Sequence, residues 1–153
     1  MPPHIRVSAS AVIVRRGHIL LVKFDDRTGP HYNLPGGGAD PGETVEEACI
    51  REVYEEAGAR ITIGRLLMVR EYEPVRCRSA FGRRHKLNLV FEGLLLPGSE
   101  PRIPHKPDAH QIGVEWVALN ALPHLNLVSP SLPGQIARSL RGASKPYYVR
   151  EEC

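Results

Sequence analysis

The chain has 153 residues, which is long enough to bury one sizeable hydrophobic core, and we predict a single domain over residues 1–153. Hydrophobic residues make up 42% of the sequence and charged residues 24%, proportions that are typical of a soluble globular protein. The formal net charge is +3 and the pI is about 8.9, so weak nonspecific contact with RNA is conceivable, but no RNA-binding module is visible and we predict no specific nucleic-acid partner.

The sequence also argues against membrane insertion and secretion. No apolar run approaches the length that crosses a bilayer, and the first ten residues, MPPHIRVSAS, lack the hydrophobic segment of a secretory signal. The three cysteines, Cys49, Cys77 and Cys153, are an odd number without the spacing of metal ligands. We therefore predict a cytoplasmic, reduced protein with no membrane partner.

The chain begins with a predicted hairpin. Residues 5–14 and 18–24 are rich in β-branched and aliphatic residues, and Arg16 and Gly17 provide a turn between them. A loop follows at residues 34–42, where Gly36, Gly37 and Gly38 allow the backbone to turn tightly and approach a ligand.

A helix is predicted over residues 44–57. Thr44 and Glu47 have the spacing of a capping box, and Gly58 is a typical C-terminal stop. An apolar stripe at helical spacing is expected to pack on the core and consists of Ile50, Val53, Tyr54 and Ala57.

Another face of this helix carries Glu52, Glu55 and Glu56, at spacings that make the three carboxylates neighbours. Like charges at these spacings repel, and a divalent cation bound to oxygen ligands would reverse the repulsion. Two interpretations stay open from the charges alone, a metal site and a solvated helix face. Glu46 and Glu47 lie in the first turn, where acidic residues interact favourably with the helix dipole. For these two residues we keep the interpretation as a solvated helix face.

The second half of the chain is strand-rich. Its predicted elements are a strand at 61–74 with a bulge at Gly64, a strand at 86–96, a proline-rich loop at 97–107, a strand containing 114–117 and a helix at 130–140. Residues 141–153 are basic and are expected to form a loosely held tail.

Residues 37–59 resemble the signature of the Nudix hydrolase family, which reads Gly, five residues, Glu, seven residues, Arg-Glu, an aliphatic residue, any residue, Glu-Glu, any residue, Gly and an aliphatic residue. The matching positions are Gly37, Glu43, Arg51, Glu52, Val53, Glu55, Glu56 and Gly58. Ala59 departs mildly from the pattern because it is smaller than the usual last residue. The resemblance implies an α/β fold, the Nudix-type α/β/α sandwich with a mixed β-sheet.

The resemblance also implies a metal site. Glu52 and Glu56 would be direct ligands, Glu55 would bind directly or through water, and the carbonyl oxygen of Gly36 would add a further ligand. All-oxygen coordination suits Mg²⁺ or Mn²⁺. Glu52, Glu55 and Glu56 are thus the predicted catalytic residues, with Glu52 also a candidate general base, while Arg51 is expected to brace the loop and the helix together with Glu43.

The implied function is Mg²⁺-dependent hydrolysis of the diphosphate (pyrophosphate) bond in a nucleoside diphosphate linked to another moiety. Pro74 lies fifteen positions after Ala59, a spacing associated in the family with ADP-ribose hydrolysis. The alternative is a nucleotide-sensing, non-catalytic module of the same fold. The expected partner is a small-molecule nucleotide, and a homodimer is possible because many family members of this size form one.

Substrate-binding residues cannot be assigned from the sequence. The basic segment 76–86 suggests a phosphate clamp or, equally, a solubilising loop, and its candidate arginines are Arg76, Arg78, Arg83 and Arg84. Tyr32 and Phe81 are weak candidates for contact with a nucleobase, whereas the apolar surroundings of Trp116 favour a core or sheet-edge role.

Three acids outside the signature are candidates for a further ligand or base. Glu92 ranks first because a charge in the middle of a strand needs a reason. Asp108, in a loop that can fold over the site, and Glu115 rank below it.

Overall fold

The computed structural model describes residues 4–76, 83–142 and 145–151. The strands are β1 (Arg6–Val12), β2 (Val14–Arg15), β3 (His18–Asp26), β4 (Gly29–Asn33), β5 (Gly36–Gly38), β6 (Ile61–Tyr72), β7 (Lys86–Leu95), β8 (Gln111–Ala118) and β9 (Tyr147–Arg150). The helices are α1 (Val45–Ala57) and α2 (Leu132–Leu140), with a 3₁₀ helix at Leu119–His124. Across the described ranges, no helix is long and apolar enough to span a membrane.

The strands form two sheets. The first has the order β5-β1-β7-β6-β9 and is mixed, because β1 is parallel to β7 and β6 is parallel to β9 while the other pairs are antiparallel. The second is antiparallel, with β3 between β2 and β4 along the sheet order and β8 also paired with β3. The predicted α/β class with a mixed sheet is confirmed.

Two hydrophobic clusters lie against opposite faces of the mixed sheet. Ala9 and Ala11 of β1 pack with Val53 of α1, whereas Val12 of β1 packs with Ile136 of α2. Successive side chains of a strand point to opposite faces, so β1 contributes to both clusters. Helices thus cover both faces, as a sandwich requires.

Helix α1 begins and ends as predicted. The Thr44 hydroxyl accepts a hydrogen bond from the Glu47 N–H at 3.1 Å, and the Glu47 carboxylate accepts one from the Thr44 N–H at 2.8 Å. Such a cap contributes about 1 kcal/mol. At the other end Gly58 adopts the left-handed conformation, with φ of 62°, and its N–H donates to the Tyr54 carbonyl.

The predicted apolar stripe of α1 is only half correct. Val53 and Ala57 are buried, but Ile50 is 40% exposed and Tyr54 is 49% exposed. The buried face is instead completed by small residues, Ala48 and Cys49, which let the helix lie close to the alanines of β1. Cys49 is a packing residue, and burial raises the pKa of its thiol to about 12.

The later elements follow the predicted order with shifted ends. The register between β6 and β7 is irregular between Ile63 and Leu66, as the bulge at Gly64 predicted. The tail differs from the expectation, because its residues Tyr147–Arg150 form β9, which pairs in parallel with β6. The three glycines expected in a loop form β5, because they pair with β1.

Candidate functional site

Strand β5 is held at the edge of the mixed sheet by residues on either side of its glycines. The Ala11 N–H donates to the Pro35 carbonyl at 3.0 Å, and the Ala39 N–H donates to the Val7 carbonyl at 3.0 Å. In an antiparallel pair, alternate residues direct their polar backbone groups toward the partner strand. Gly36 and Gly38 therefore direct theirs away from β1.

These outward backbone groups meet side chains of α1. The Gly36 N–H donates to Glu56 Oε2 at 3.1 Å, and the Gly38 carbonyl accepts from Arg51 Nη2 at 3.0 Å. In an extended strand the N–H and the C=O of one residue lie on the same side. The carbonyl of Gly36, a predicted metal ligand, is therefore on the side of β5 that contacts Glu56.

The short distances on both sides of β5 explain why residues 36–38 are all glycine. A Cβ at Gly37 would overlap the carboxylate of Glu52, and a Cβ at Gly38 would overlap the guanidinium of Arg6. A Cβ at Gly36 would overlap the carbonyl oxygen of Ala9. The three glycines thus let the backbone approach α1 on one side and β1 on the other.

Glu56 is a buried carboxylate without a cationic side-chain partner. It is only 9% exposed, and no ion pair within the described ranges includes it. Burial, with the nearby charges of Asp108, Glu52 and Glu55, raises its pKa to about 8 despite the Gly36 N–H bond. A buried carboxylate of this kind is stabilised by a bound cation.

Arg51 connects the other two predicted ligands. Its Nη1 atom lies 2.8 Å from Glu52 Oε1 and 3.3 Å from Glu55 Oε2. The side chain of Glu52 is 16% exposed and that of Glu55 is 56% exposed. Burial raises the pKa of Glu52. The structure thus places Glu52, Glu55 and Glu56 on one face of α1, with Arg51 between two of them.

The other half of the Arg51 guanidinium braces the loop, as predicted. Nη2 and Nε bind the two oxygens of Glu43 at 2.6 and 3.1 Å, a bidentate pair. Arg51 lowers the pKa of Glu43 to about 2, and the Asp40 N–H, which donates to Glu43 at 2.8 Å, adds to this effect. Arg51 and Glu43 together hold residues 38–43 against α1.

The residues of this site fit a divalent cation by their donor chemistry. In the present side-chain arrangement, no group of three or more Asp, Glu, His or Cys side chains in the described ranges forms a ready-made metal cluster. However, Glu56 is a buried carboxyl group that has no cationic side-chain partner when it ionises, and hard carboxylate and carbonyl oxygens are the ligands that Mg²⁺ and Mn²⁺ prefer. The same donors would not select a soft metal.

The three outer acids differ in their surroundings, and Asp108 is the one whose charge acts on the acids of α1. Glu92 accepts a hydrogen bond from Arg65 at 3.3 Å, and Glu115 accepts one from Tyr32 at 2.9 Å. Asp108 instead lies near enough to raise the pKa of both Glu52 and Glu56. The loop that carries it folds back over the end of α1, in agreement with the expectation that this loop can cover the site.

Gln111, which the sequence did not suggest, holds this loop in place. Its side chain is buried, its Nε2 donates to the Glu56 carbonyl at 2.7 Å, and its Oε1 accepts from the Asp108 N–H at 3.3 Å. Arg102 adds a second tie, because its N–H donates to the Ala57 carbonyl at 2.8 Å. A lone glutamine at the start of a strand gives no sequence signal for this role.

A cavity of about 230 Å³ lies on the other side of β5 from the acids. Its lining residues are Arg6, Ser8, Ser10, Asn33, Leu34, Gly36, Gly37, Gly38, Arg70, Tyr72, Lys86, Asn88, Val128, Ser129 and Glu151. The signal for it in the sequence was the polar alternation Arg6, Ser8 and Ser10 along β1, which a core strand would not have.

The other substrate-binding candidates lie elsewhere. The ring of Tyr32 lies under Lys23, with 5.4 Å from Nζ to the ring centroid, and Arg83 and Arg84 line a groove that shares Arg6 with the cavity. Trp116 is partly buried against the core, in agreement with the expected role. Arg78 and Phe81 lie outside the described residues. Arg76 is exposed and pairs with Glu73.

Comparisons with known proteins agree with these features. The family model described as the NUDIX domain matches residues 4–136. The chain is 31% identical over 90 residues to the nucleoside triphosphatase NudI of Salmonella agona, covering 56% of this chain and 64% of that protein. It is 46% identical over 57 residues to the diphosphoinositol polyphosphate phosphohydrolase 3-alpha of Mus musculus, covering 37% and 34%. These alignments thus span less than two thirds of either relative.

Solved structures share the architecture over most of the chain. A NUDIX hydrolase from Nitrosomonas europaea superimposes with a TM-score of 0.76 at 24% identity, covering 94% of this chain and 93% of that one, a likeness of fold alone. A MutT NUDIX hydrolase from Burkholderia pseudomallei superimposes with a TM-score of 0.66 at 33% identity, covering 85% and 95%.

Proposed function

The chain belongs to the Nudix hydrolase family, and from this premise we propose that it is a Mg²⁺- or Mn²⁺-dependent hydrolase that cleaves the diphosphate bond of a nucleoside diphosphate derivative. One observation carries the proposal. Glu56 is a buried carboxylate whose charge has no cationic side chain to neutralise it, and it lies beside two further carboxylates and a glycine strand.

In the proposed site, Glu52, Glu55, Glu56 and the carbonyl of Gly36 hold the cation. When bound, it neutralises the diphosphate oxygens and lowers the pKa of a water molecule. Glu52 is the proposed proton acceptor for the attacking water, and its place against Gly37 aims it at the edge of β5. Water adds to one phosphorus, the bond from that phosphorus to the bridging oxygen breaks, and two phosphorylated fragments leave.

The competing hypothesis is a module of the same fold that binds a nucleotide without cleaving it. The three acids of α1 favour the enzyme, because a sensor has no chemical need for all of them. Incubation of the pure protein with Mg²⁺ and a panel of nucleoside triphosphates, ADP-ribose and diphosphoinositol polyphosphates separates the two. Two phosphorylated products from at least one compound support the enzyme, and binding without turnover supports the sensor.

The test compounds are chosen from the names of the relatives and from one residue of this chain. NudI is named a nucleoside triphosphatase, and the relative from Mus musculus is named for diphosphoinositol polyphosphates. ADP-ribose is included because Pro74 has the spacing associated with its hydrolysis.

The stabilising effect of Mg²⁺ is expected to grow as the pH rises from 6 to 8.5. Without metal, the pKa of Glu56 is raised from 4.5 to about 8, so the folded state binds more protons than the unfolded state between these values. The stability of the metal-free protein then falls with increasing pH in this window, by at most about 1.4 kcal/mol per pH unit from this group. Mg²⁺ needs the ionised carboxylate and binds more tightly as Glu56 loses its proton.

Thermal melts with Mg²⁺ and with EDTA at each pH measure this effect. Glu56→Gln, which cannot ionise, should make the Mg²⁺-induced change in Tm smaller and less dependent on pH. A Mg²⁺-induced change that is equal at pH 6 and pH 8.5 in the unmodified protein would contradict the assignment of Glu56 as a ligand.

Gly37→Ala is expected to lower kcat/KM by roughly 10²-fold, because the added Cβ displaces the Glu52 carboxylate and a misplacement of about 1 Å has an effect of this size. Steady-state kinetics on the substrate found in the panel measure the loss. The matched control is Gly134→Ala in α2, where a Cβ meets no atom within 4 Å. An unchanged kcat/KM in Gly37→Ala would show that turnover does not depend on the position of the Glu52 carboxylate.

A further inference from the structure

The cavity beside β5 has a floor built by one face of the mixed sheet. The strand register sets Arg6 of β1 beside Lys86 of β7, and Lys86 in turn beside Tyr72 of β6. One step along the sheet, Ser8 lies beside Asn88. Alternate residues of a strand share a face, so these polar side chains form one continuous surface.

Two cations of this surface have no acidic partner. Ion pairs within residues 4–76, 83–142 and 145–151 do not include Arg6 or Lys86. Burial, together with the charges of Arg6 and Arg84, lowers the pKa of Lys86. Glu151, the carboxylate in the lining, is already paired with Arg70. The half-buried ammonium of Lys86, without an acidic partner, favours an anionic ligand, and the exposed Arg6 adds positive charge beside it.

The amide side chains of the cavity add donors to this charge. Asn88 Oδ1 accepts hydrogen bonds from the hydroxyls of Ser8 and Ser10 at 3.2 and 3.3 Å. Asn33 Oδ1 accepts one from the Leu34 N–H at 2.9 Å. These bonds use the acceptor end of each amide, which leaves the NH₂ groups as donors. The lining therefore offers donors and positive charge to a ligand that is rich in acceptor oxygens.

The cavity offers a nucleobase little aromatic surface, and its apolar lining beyond Tyr72 consists of Leu34 and Val128. A base needs an aromatic or apolar surface to stack on, together with both donors and acceptors. Tyr72, the aromatic residue of the lining, is only 7% exposed. A phosphate group needs donors and positive charge alone, and it fits a cavity of about 230 Å³.

We propose that this cavity is a phosphate-binding subsite, in which Arg6 and Lys86 recognise a phosphate ester that the substrate carries away from the bond to be cleaved. This inference rests on the proposed function, because the scissile diphosphate is expected at the acids of α1. Strand β5 connects the two places: Gly37 contacts Glu52 on one side, and Gly38 contacts Arg6 on the other. A substrate that lies across β5 reaches both.

The subsite predicts a preference between matched substrates. ADP-ribose and its 2′-phosphate differ by one phosphate ester on a ribose, and a diphosphoinositol polyphosphate presents the same group on a polyol. We expect kcat/KM to be on the order of tenfold higher for the compounds with the additional phosphate, because charge-assisted hydrogen bonds have effects of this size. The 2′-phosphate of ADP-ribose and the diphosphoinositol polyphosphate form the two arms of the experiment. They show whether the phosphate ester is recognised on a ribose or on a polyol.

Charge variants assign the preference to this cavity. Arg6→Gln and Lys86→Gln should each reduce this preference, measured as the ratio of the two kcat/KM values, at least fivefold, whereas Lys86→Arg should keep it. The control is Arg27→Gln, which removes an equal charge from an exposed turn between β3 and β4. Where ADP-ribose is hydrolysed but the additional phosphate gives no preference in either arm, the subsite is overturned and the hydrolase stands.

If no compound is cleaved, a binding measurement tests the phosphate-binding subsite. Thermal melts in EDTA compare sodium phosphate with sodium chloride at equal ionic strength. We expect phosphate to raise the Tm of the unmodified protein and of Arg27→Gln, but not that of Lys86→Gln. A rise with this pattern and without turnover would support the subsite and refute the hydrolase, and an equal Tm in both salts would refute the subsite.

Discussion

Glu56→Gln is expected to lower kcat by roughly 10²- to 10⁴-fold on any diphosphate that the protein hydrolyses. The substitution keeps the size of the side chain and an oxygen that can accept the Gly36 N–H bond. It removes the negative charge that the proposed cation needs. Because Glu56 is buried and its pKa is raised to about 8, the neutral amide should fold at least as well as the carboxylate at pH 8.

This separation of activity from stability makes the variant a sharp test. Steady-state kinetics give the loss of turnover, calorimetry gives the loss of Mg²⁺ binding, and thermal melts in EDTA show that the fold is intact. The matched control is Glu46→Gln, which removes an exposed carboxylate from the first turn of the same helix and should leave all three unchanged. A stable Glu56→Gln protein with full turnover would refute the proposed site.

Features that depend on residues close together in the sequence were predictable. The capping box of Thr44 and Glu47 and the left-handed Gly58 are local, since each depends on bonds within a few residues of the chain. The placing of Glu52, Glu55 and Glu56 on one face follows from the helical period. The mixed sheet and the sandwich followed from the resemblance.

Features that depend on distant partners were not predictable. Three glycines indicate a loop by their propensity, yet Gly36–Gly38 form a strand because β1 supplies the hydrogen bonds. Ile50 and Tyr54 were expected in the core because they are large and apolar. The helix docks instead through Ala48 and Cys49, since the facing residues of β1 are small and the two backbones approach closely.

The outer acids show the same limit. Mid-strand position favoured Glu92, but a charge in a strand is satisfied by any neighbouring cation, in this case Arg65. Asp108 reaches the acids of α1 because Gln111, some fifty residues after the helix, binds the Glu56 carbonyl. The cavity also combines residues from both ends of the chain, from Arg6 to Glu151. Such contacts are decided by topology, and local patterns do not encode them.

Glu151→Gln is expected to destabilise the protein by about 3 kcal/mol, because it leaves the buried charge of Arg70 without its counter-ion. The side chains of Arg70 and Glu151 are 11% and 9% exposed, and they form an ion pair. Glu151 also accepts hydrogen bonds from Ser129 at 2.7 Å and Ser131 at 3.1 Å, while Arg70 donates to Gln135 at 2.8 Å. This network ties Glu151, which follows β9, to β6 and α2 and so holds the described end of the chain against the sheet.

A chain of this size should lose roughly 6–12 °C in Tm for such a change. The matched control is Glu100→Gln, which removes the carboxylate from the Arg15–Glu100 pair, whose side chains are 39% and 75% exposed. An exposed pair contributes at most about 1 kcal/mol, so the two variants should differ clearly. Because the loss comes from an orphaned charge, adding Arg70→Met to Glu151→Gln should restore part of the stability. Equal losses in Glu151→Gln and Glu100→Gln would show that this ion pair does not hold the tail.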